Sequence, residues 1–408
     1  MTMATRVIVV LLALQLFCLS SAKQPKYPVI LVPGDGGSQL YAKLDRSVVP
    51  HFYCSRKTDD YFNIWLNIEE FSLPVECFVD NMRLRYNRTS HTTRNAEGVD
   101  IRIDSFGKTA TVEWLDPNSI IHKLSELSYF YNIVESLVAI NYTRDKDIKG
   151  APYDFRRAPN ELGDFYANLT KLIEDTYTEN GNSPAVIIGH SMGNPVMLYF
   201  YNHKPQAWKD KYLRAHISLA GVWAGAVKTL RLMTSGDSLG VYVVNPLTVR
   251  PEQRAMPSTA FLMPSTRFWD KDEILVYNEH RNYTVNDYKQ LFQDLNYTDG
   301  YMIWQDTSNL IIDLEAPGLE VHCLFGTGIP TPGALQFVPG GFPDKYPKTV
   351  PDDGDGTVNK RSLMAFAGWA SKQKQPVKYS ALKGAEHMAI MADPRTLQYI
   401  VNFLTDAS

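Results

Sequence analysis

The pentapeptide Gly189-His190-Ser191-Met192-Gly193 has the pattern G-x-S-x-G, and it constrains the fold of this chain more than any other segment. The β-branched run at 185–189 leads into it and predicts a buried strand, and the apolar residues of 194–201 predict a helix after it. A strand, a sharp turn and a helix in this order expose a serine Oγ on a strained backbone, an arrangement called a nucleophile elbow. Ser191 is therefore a candidate nucleophile. A Gly-rich turn with an inert serine is the alternative.

Strands and helices alternate along the rest of the chain. The turn cluster at 33–37 ends the first strand, and the segment 225–320, rich in Tyr, Trp, Asn and Pro, interrupts the alternation. Such alternation predicts an α/β fold in which helices cover both faces of a parallel sheet. We expect one main domain, with 225–320 as its lid and cap. Further strands are predicted at 28–32, 215–220, 321–326 and 377–382, and helices at 165–177 and 396–404.

A serine nucleophile needs a base and an orienting acid, which follow an elbow in the order Asp, then His. Asp355 lies in a Gly-rich acidic loop at 352–358, and His387 follows the strand at 377–382 and a turn at Gly384. We therefore assign His387 as the base of Ser191 and Asp355 as the acid that orients it. A calcium loop is the competing interpretation of the acidic segment. It is too short for the twelve-residue EF-hand spacing, and it lacks the final Glu.

The N-terminus has the pattern of a signal peptide. Arg6 precedes an apolar stretch at 7–19, and small residues follow at 20–22, where a signal peptidase cleaves. A transmembrane anchor is the competing interpretation, but about 13 apolar residues are too few to cross roughly 30 Å of hydrocarbon. We expect residues 1–22 to be removed, leaving a domain of residues 23–408 made in the secretory pathway.

The cysteines fit an oxidising compartment. Cys18 leaves with the signal peptide, and Cys54, Cys77 and Cys323 remain. We expect a Cys54–Cys77 bridge, which closes a short local loop, and one odd thiol at Cys323. Three scattered cysteines without Cys-x-x-Cys spacing do not predict a metal site.

Asn-x-Ser/Thr sequons recur along the chain. One such triplet is a weak signal, but five in a secreted chain predict several surface glycans. They begin at Asn87, Asn141, Asn168, Asn282 and Asn296.

Several longer strings resemble the lecithin:cholesterol acyltransferase family, and the resemblance covers essentially the whole mature chain. It implies an α/β-hydrolase with a cap and a small membrane-binding subdomain. It also implies the triad Ser191, Asp355 and His387, and an oxyanion hole formed by the backbone amides of Asp35 and Met192. The strings are Val32-Pro33-Gly34-Asp35 with Gln39-Leu40, Ala151-Pro152-Tyr153-Asp154-Phe155-Arg156, Gly189-His190-Ser191-Met192-Gly193-Asn194, Pro205-Gln206-Ala207-Trp208-Lys209-Asp210 and Asp353-Gly354-Asp355-Gly356-Thr357-Val358.

Within that family, Asp35, Met192 and Gly356 resemble the lysosomal phospholipase A and acyltransferase branch (group XV phospholipase A2). The sterol-esterifying plasma enzymes are similar but tend to carry Cys, Leu and Asp at these places. One departure concerns a second disulfide, which usually joins the position of Cys323 to one near Phe366. No cysteine stands there, so we expect Cys323 to be unpaired.

The loop closed by Cys54 and Cys77, at about 52–80, is rich in aromatic and aliphatic residues. Apolar side chains on a stapled surface loop favour insertion into a lipid interface, and the family's membrane-binding loop resembles this segment. A satellite hydrophobic cluster is the alternative. The residues that we expect to contact the membrane are Ile64, Trp65, Leu66 and Phe71.

The resemblance, together with the predicted triad, implies a phospholipase A and transacylase. The donor is a glycerophospholipid, and the acyl group passes from Ser191 to water or to a lipid alcohol such as a short-chain ceramide. We expect no metal and no organic cofactor, a monomer, and residence in the lysosome or outside the cell. The formal net charge of −3, without a basic run, argues against a nucleic-acid partner. The alternatives are a phosphatidylcholine-sterol acyltransferase and a lipid-binding protein without activity.

The nine histidines predict a pH-dependent membrane contact. Protonation of all of them in acid would make the net charge positive. Anionic membranes would then attract the protein, and salt would weaken the attraction.

Overall fold

The computed structural model describes residues 27–67, 74–118, 127–238 and 245–405. The predicted signal peptide at 1–22 and the predicted membrane contact Phe71 lie outside these ranges. No helix within them combines the length and the apolar character needed to cross a membrane.

Short strands carry the framework of the chain. They are β1 (Val29–Val32), β2 (Leu40–Leu44), β3 (Phe62–Trp65), β4 (Arg85–Asn87), β5 (Thr92–Arg94), β6 (Val99–Arg102), β7 (Ile148–Gly150), β8 (Ala185–His190), β9 (Leu213–Leu219), β10 (Val276–Tyr277), β11 (Val321–Thr327), β12 (Ile329–Gln336), β13 (Lys348–Gly354) and β14 (Val377–Lys383).

Helices connect and cover these strands. They are α1 (Val75–Met82), α2 (Ala110–Glu113), α3 (Tyr131–Val138), α4 (Gly163–Glu179), α5 (Gly193–Asn202), α6 (Gln206–Tyr212), α7 (Lys228–Met233), α8 (Pro246–Ala255), α9 (Pro257–Phe261), α10 (Tyr288–Asp294), α11 (Thr298–Thr307), α12 (Lys360–Leu363) and α13 (Pro394–Leu404). Short 3₁₀ helices lie at Pro159–Glu161, Ala365–Ser371 and Ala389–Met391.

The central sheet is parallel and has the strand order β14-β11-β9-β8-β1-β7. Strands β1, β8 and most of β9 are buried along their length, as expected for a sheet that is covered on both faces. The register pairs Val32 with Gly189, so β1 ends beside the end of β8. The predicted α/β-hydrolase fold is confirmed, and both the turn after β1 and the elbow after β8 lie at the same edge of the sheet.

The acidic segment departs from the prediction of a loop. Asp352, Asp353 and Gly354 belong to strand β13, which pairs in antiparallel fashion with β12 in a separate three-stranded sheet. Asp353 forms an ion pair with Lys360 at 2.9 Å, and Asp352 accepts a hydrogen bond from Asn359 at 3.1 Å. These two carboxylates therefore have protein partners, which weakens the calcium interpretation.

The segment 225–320 has a hydrophobic cluster of its own. Trp269, Tyr288 and Phe292 are buried in this cluster, and Leu335 of β12 joins it to the second sheet. The cluster explains why this stretch interrupts the strand–helix alternation. Its role as a lid and cap stays a prediction.

Candidate active site

The nucleophile elbow forms where strand β8 meets helix α5. Ser191 lies between them with a φ of 52°, a left-handed conformation that non-glycine residues rarely adopt. A Cβ on Gly189 would lie 2.5 Å from the Asn194 side chain, and a Cβ on Gly193 would lie 2.5 Å from the carbonyl oxygen of Pro33. A side chain at position 193 would push helix α5 away from the backbone at the end of β1, and one at position 189 would displace the Asn194 side chain.

The three predicted triad residues lie in one line of hydrogen bonds. His387 Nε2 lies 2.9 Å from Ser191 Oγ, and His387 Nδ1 lies 2.8 Å from Asp355 Oδ2. All three side chains are buried. The geometry lets Nε2 accept the serine proton while Nδ1–H donates to the carboxylate, as a base and its orienting acid require.

Asp355 is held in its charged form. Burial alone would raise the pKa of its carboxyl, but His387 and the backbone amides of Val358 and Thr357 outweigh burial and hold the pKa below its usual value. The amide of Val358 donates at 2.7 Å and that of Thr357 at 3.0 Å to Oδ1. The backbone amide of His387 also donates to the Asp355 carbonyl oxygen at 3.0 Å, which fixes the loop that carries the base.

The predicted oxyanion donors lie beside the serine. Asp35 follows Gly34, where an added Cβ would be only 2.6 Å from the Cβ of Ser191, and Met192 directly follows the serine. Among the described residues, no protein acceptor takes a hydrogen bond from the amide of Asp35 or of Met192. Two unpaired N–H groups near a nucleophile can bind the oxyanion of a tetrahedral intermediate.

The Asp35 carboxyl has a raised pKa. The residue keeps contact with solvent, yet the protein around its carboxyl buries it enough to raise its pKa to about 6. The charge of Lys228 and a hydrogen bond from the Gly36 amide act in the opposite direction. Glu252 of α8 is a nearby second acid, and burial raises its pKa to about 8 although Arg156 opposes the shift.

Sequence reasoning missed the contacts that support this site. Tyr129 bonds to both Gly34 and His190, and the Trp65 indole bonds to Gly36. His190 occupies a variable place of the G-x-S-x-G pattern, so the pattern itself gave no reason to single it out. Tyr129 and Trp65 are far from the motif in sequence and left no signal that could have identified them.

The predicted membrane loop needs a correction at Ile64. Only 2% of this residue is exposed and it belongs to the main hydrophobic cluster, so it does not offer a surface to lipid. Trp65 and Leu66 are half-buried. The exposed apolar side chains near the disulfide are Phe52, 96% exposed, and Tyr53, 47% exposed.

The cysteines and sequons take the following places. Cys54 and Cys77 form a disulfide, and Cys323 is a free, buried thiol on β11. All five sequon asparagines are exposed, as glycan attachment requires: Asn87, Asn141, Asn168, Asn282 and Asn296. Their glycosylation stays a prediction.

Comparison with known families gives one match over most of the chain. The model of the family described as lecithin:cholesterol acyltransferase matches residues 61–394. The chain is 46% identical to lysosomal phospholipase A and acyltransferase of Rattus norvegicus, over 97% of this chain and 94% of the relative. It is 47% identical to the Homo sapiens protein of that name, over 92% and 90%.

More distant similarities agree with the fold. Phosphatidylcholine-sterol acyltransferase of Homo sapiens is 38% identical over 93% of this chain and 85% of its own. Among solved structures, the Tle4-Tli4 complex aligns with a TM-score of 0.53 at 12% identity, covering 93% of this chain and 98% of that one. At such low identity the structural likeness shows the fold alone.

Proposed function

The chain belongs to the lecithin:cholesterol acyltransferase family, and we propose that it is a phospholipase A and transacylase acting on glycerophospholipids. The observation that carries this proposal is the hydrogen-bonded line Ser191–His387–Asp355 beside two unpaired amides. A nucleophile, a base and an oxyanion hole in this arrangement are the parts that acyl transfer from an ester requires.

The first half of the reaction builds an acyl-enzyme. His387 takes the proton of Ser191, and Oγ attacks the ester carbonyl of the phospholipid. The amides of Asp35 and Met192 hold the negative charge that develops on the carbonyl oxygen. His387 then gives the proton to the leaving oxygen, so the lysophospholipid departs and the acyl group remains on Ser191.

The second half transfers the acyl group to an acceptor. Water yields a free fatty acid, and a lipid alcohol such as a short-chain ceramide yields an acylated lipid. His387 removes the acceptor's proton and returns it to Ser191 as the acyl group leaves. An apolar, partly dehydrated site favours the lipid alcohol over water. This chemistry needs no metal and no organic cofactor.

The identity of the acceptor separates two branches of the family. The relatives named lysosomal phospholipase A and acyltransferase are 46–48% identical to this chain, and those named phosphatidylcholine-sterol acyltransferase are 38–40% identical. The higher identity favours a phospholipid donor with water or a lipid alcohol as acceptor over sterol esterification. It also favours the lysosome or the extracellular space as the place of action.

The proposed enzyme works as a monomer at the membrane surface. Phe52 and Tyr53 expose apolar area next to the disulfide of Cys54. Trp65 and Leu66 lie half-buried on the same loop. We place the contact with anionic membranes at this loop, because exposed aromatic groups on a stapled loop suit a shallow lipid interface.

A competition experiment tests the reaction. The purified protein is incubated at pH 5 with a phospholipid carrying two different acyl chains, a truncated ceramide and cholesterol, and the products are identified by mass. We expect lysophospholipid, free fatty acid and acyl-ceramide. Cholesteryl ester as the main acylated product would assign the chain to the sterol-esterifying branch instead.

A covalent probe tests whether the protein is an enzyme at all. A fluorophosphonate should label Ser191 in the wild-type protein and leave the Ser191→Ala variant unlabelled. A folded wild-type protein without an adduct on Ser191 would favour a lipid-binding protein that does not catalyse.

A further inference from the structure

His190 bridges two parts of the site that the reaction mechanism treats separately. Its ring is fully buried. Nδ1 lies 2.5 Å from the hydroxyl oxygen of Tyr129, and Nε2 lies 2.9 Å from the backbone carbonyl oxygen of His387. The same Tyr129 oxygen accepts a hydrogen bond from the backbone amide of Gly34 at 2.8 Å.

The chemistry of the partners sets one direction for these bonds. A carbonyl oxygen only accepts, so the proton of the imidazole resides on Nε2 and is donated to His387. Burial and the neighbouring His387 lower the pKa of His190 to about 3, so its ring is neutral and Nδ1 accepts from Tyr129. The line therefore runs from the Gly34 amide through Tyr129 and His190 to the His387 carbonyl, and every donor has an acceptor.

The two ends of this line are the two halves of the catalytic apparatus. Gly34 directly precedes Asp35, whose amide is a proposed oxyanion donor, and His387 is the proposed base. Gly34 also packs tightly on the elbow, since an added Cβ there would lie 2.9 Å from the carbonyl oxygen of His190. We call the turn at 33–37, which holds Asp35, the oxyanion turn. A change in the length of this line of hydrogen bonds would move the oxyanion turn relative to His387.

We infer that Tyr129 and His190 are positioning residues that set the distance between the oxyanion turn and His387. This inference rests on the proposed function, because it gives these residues a role in the same acyl transfer. Neither side chain hydrogen-bonds to Ser191 Oγ or to a ring nitrogen of His387. Their effect is on rate, since an oxyanion donor displaced by a fraction of an ångström binds the transition state less well.

The chain contains a matched control for this inference. Tyr399 on α13 bonds to Nδ1 of the buried His322 at 2.6 Å, and His322 Nε2 bonds to Glu320 Oε1 at 2.9 Å. Burial lowers the pKa of His322, as it does for His190. This second pair resembles the first in chemistry, yet it lies near the start of β11 and bonds to no residue of the triad or of the turn that holds Asp35.

The experiment compares Tyr129→Phe with Tyr399→Phe on a soluble ester, p-nitrophenyl butyrate. Both variants lose one hydrogen bond to a buried histidine, so we expect similar decreases in Tm. We expect kcat of Tyr129→Phe to fall about 10- to 100-fold with KM within about twofold of wild type. We expect kcat of Tyr399→Phe to stay within about twofold of wild type. Equal losses of kcat in the two variants, or none in Tyr129→Phe, would overturn the inference.

A second variant covers the case in which Tyr129→Phe does not fold. His190→Phe keeps a ring but removes both the acceptor of the Tyr129 hydroxyl and the donor to the His387 carbonyl. We expect it to lose kcat at least as Tyr129→Phe does. Where both single variants fold, the double variant should be no slower than His190→Phe, since both changes break one line of hydrogen bonds. Multiplied losses would overturn the inference. An inactive, unlabelled wild type would instead refute the proposed function, so the two failures are distinguishable.

Discussion

The indole Nε1 of Trp65 donates a hydrogen bond of 2.7 Å to the carbonyl oxygen of Gly36, in the turn that holds Asp35. The ring also packs against Phe155, with centroids 5.5 Å apart, and against Phe78 at 6.2 Å. Trp65 thus joins the disulfide-closed loop to the oxyanion turn. A residue that the sequence suggested for lipid contact therefore also supports the catalytic site.

Trp65→Phe should slow the enzyme even on a substrate that needs no membrane. The variant keeps an aromatic ring but loses the bond to Gly36, and a neutral hydrogen bond contributes about 0.5–1.5 kcal/mol. We expect kcat/KM for p-nitrophenyl butyrate to fall about 2- to 10-fold. Trp208→Phe is the control, because its indole bonds to Glu174 at 2.7 Å, away from this turn. Unchanged kinetics in Trp65→Phe would show that the bond does not hold the turn.

Ser191→Ala should abolish hydrolysis and transacylation together. Both products pass through one acyl-Ser191 intermediate, and loss of a triad nucleophile lowers kcat on the order of 10⁶-fold in a serine protease. Both rates are measured with the phospholipid and ceramide mixture. Ser136→Ala, on helix α3, is the control and should keep both. Transacylation surviving without hydrolysis would refute the common intermediate.

The local parts of this structure were predictable from the sequence. The strand predicted at 185–189 is Ala185–His190, and the helix predicted at 194–201 is Gly193–Asn202. Both follow from apolar runs and glycines close together in the chain. The strand β13 was not predictable in this way, because its Asp and Gly residues disfavour strands and its existence depends on pairing with β12.

The supporting contacts of the site depend on tertiary structure alone. Tyr129 and His190 are 61 residues apart, and Trp65 and Gly36 are 29 apart. Neither pair has a periodic spacing or a motif. The burial of Ile64 was missed for a related reason. The sequence does not show that this residue lies in strand β3 with its side chain in the main hydrophobic cluster.

Removal of the Cys54–Cys77 bridge should destabilise the protein. The two cysteines are 23 residues apart, and closing a loop of this size lowers the entropy of the unfolded chain by an amount worth about 3 kcal/mol. We expect the Cys54→Ala/Cys77→Ala variant to lose about that much unfolding free energy in urea. A reductant should lower the stability of the wild type equally and leave the variant unchanged, since Cys323 is unpaired. A further loss in the variant would contradict this assignment.

Phe52→Ser/Tyr53→Ser should weaken binding to vesicles while sparing a soluble ester. Burying one large apolar side chain stabilises by about 1.5–3 kcal/mol, so we expect affinity to fall at least about 10-fold. Sedimentation with phosphatidylcholine vesicles containing an anionic lipid measures this at pH 5. Val338→Ser changes an exposed apolar residue outside the loop and is the control. Equal losses of vesicle affinity in the two variants would show that this loop is not the membrane contact.

The same vesicles should bind more protein at pH 5 than at pH 7.5. Burial lowers the pKa of His190 and of His216 to about 3, so these two of the nine histidines stay neutral at pH 5. The other seven histidines can add at most seven positive charges to the formal net charge of −3. The sequence suggested nine such charges, but seven are enough to make the net charge positive. Salt should weaken the binding at pH 5. Binding that is independent of pH would exclude this attraction.

Asp35→Asn should change the pH profile of the enzyme. Burial raises the pKa of Asp35 to about 6, so its carboxyl is charged at pH 7 and mostly neutral at pH 5. A negative charge beside the oxyanion opposes the transition state, and the neutral acid does not. Wild-type activity should therefore rise as the pH falls through about 6.

The asparagine keeps the shape of Asp35 but does not titrate, so the variant should retain a larger fraction of its maximal activity at pH 7 than the wild type. The groups near the Asp35 carboxyl include Lys228, Tyr129, Tyr153 and Glu252. Glu252→Gln is the control: the pKa of Glu252 is about 8, so this acid is already neutral where Asp35 titrates. We expect Glu252→Gln to keep the inflection near pH 6 and Asp35→Asn to lose it. An unchanged profile in Asp35→Asn would mean that its carboxyl only caps the turn after β1.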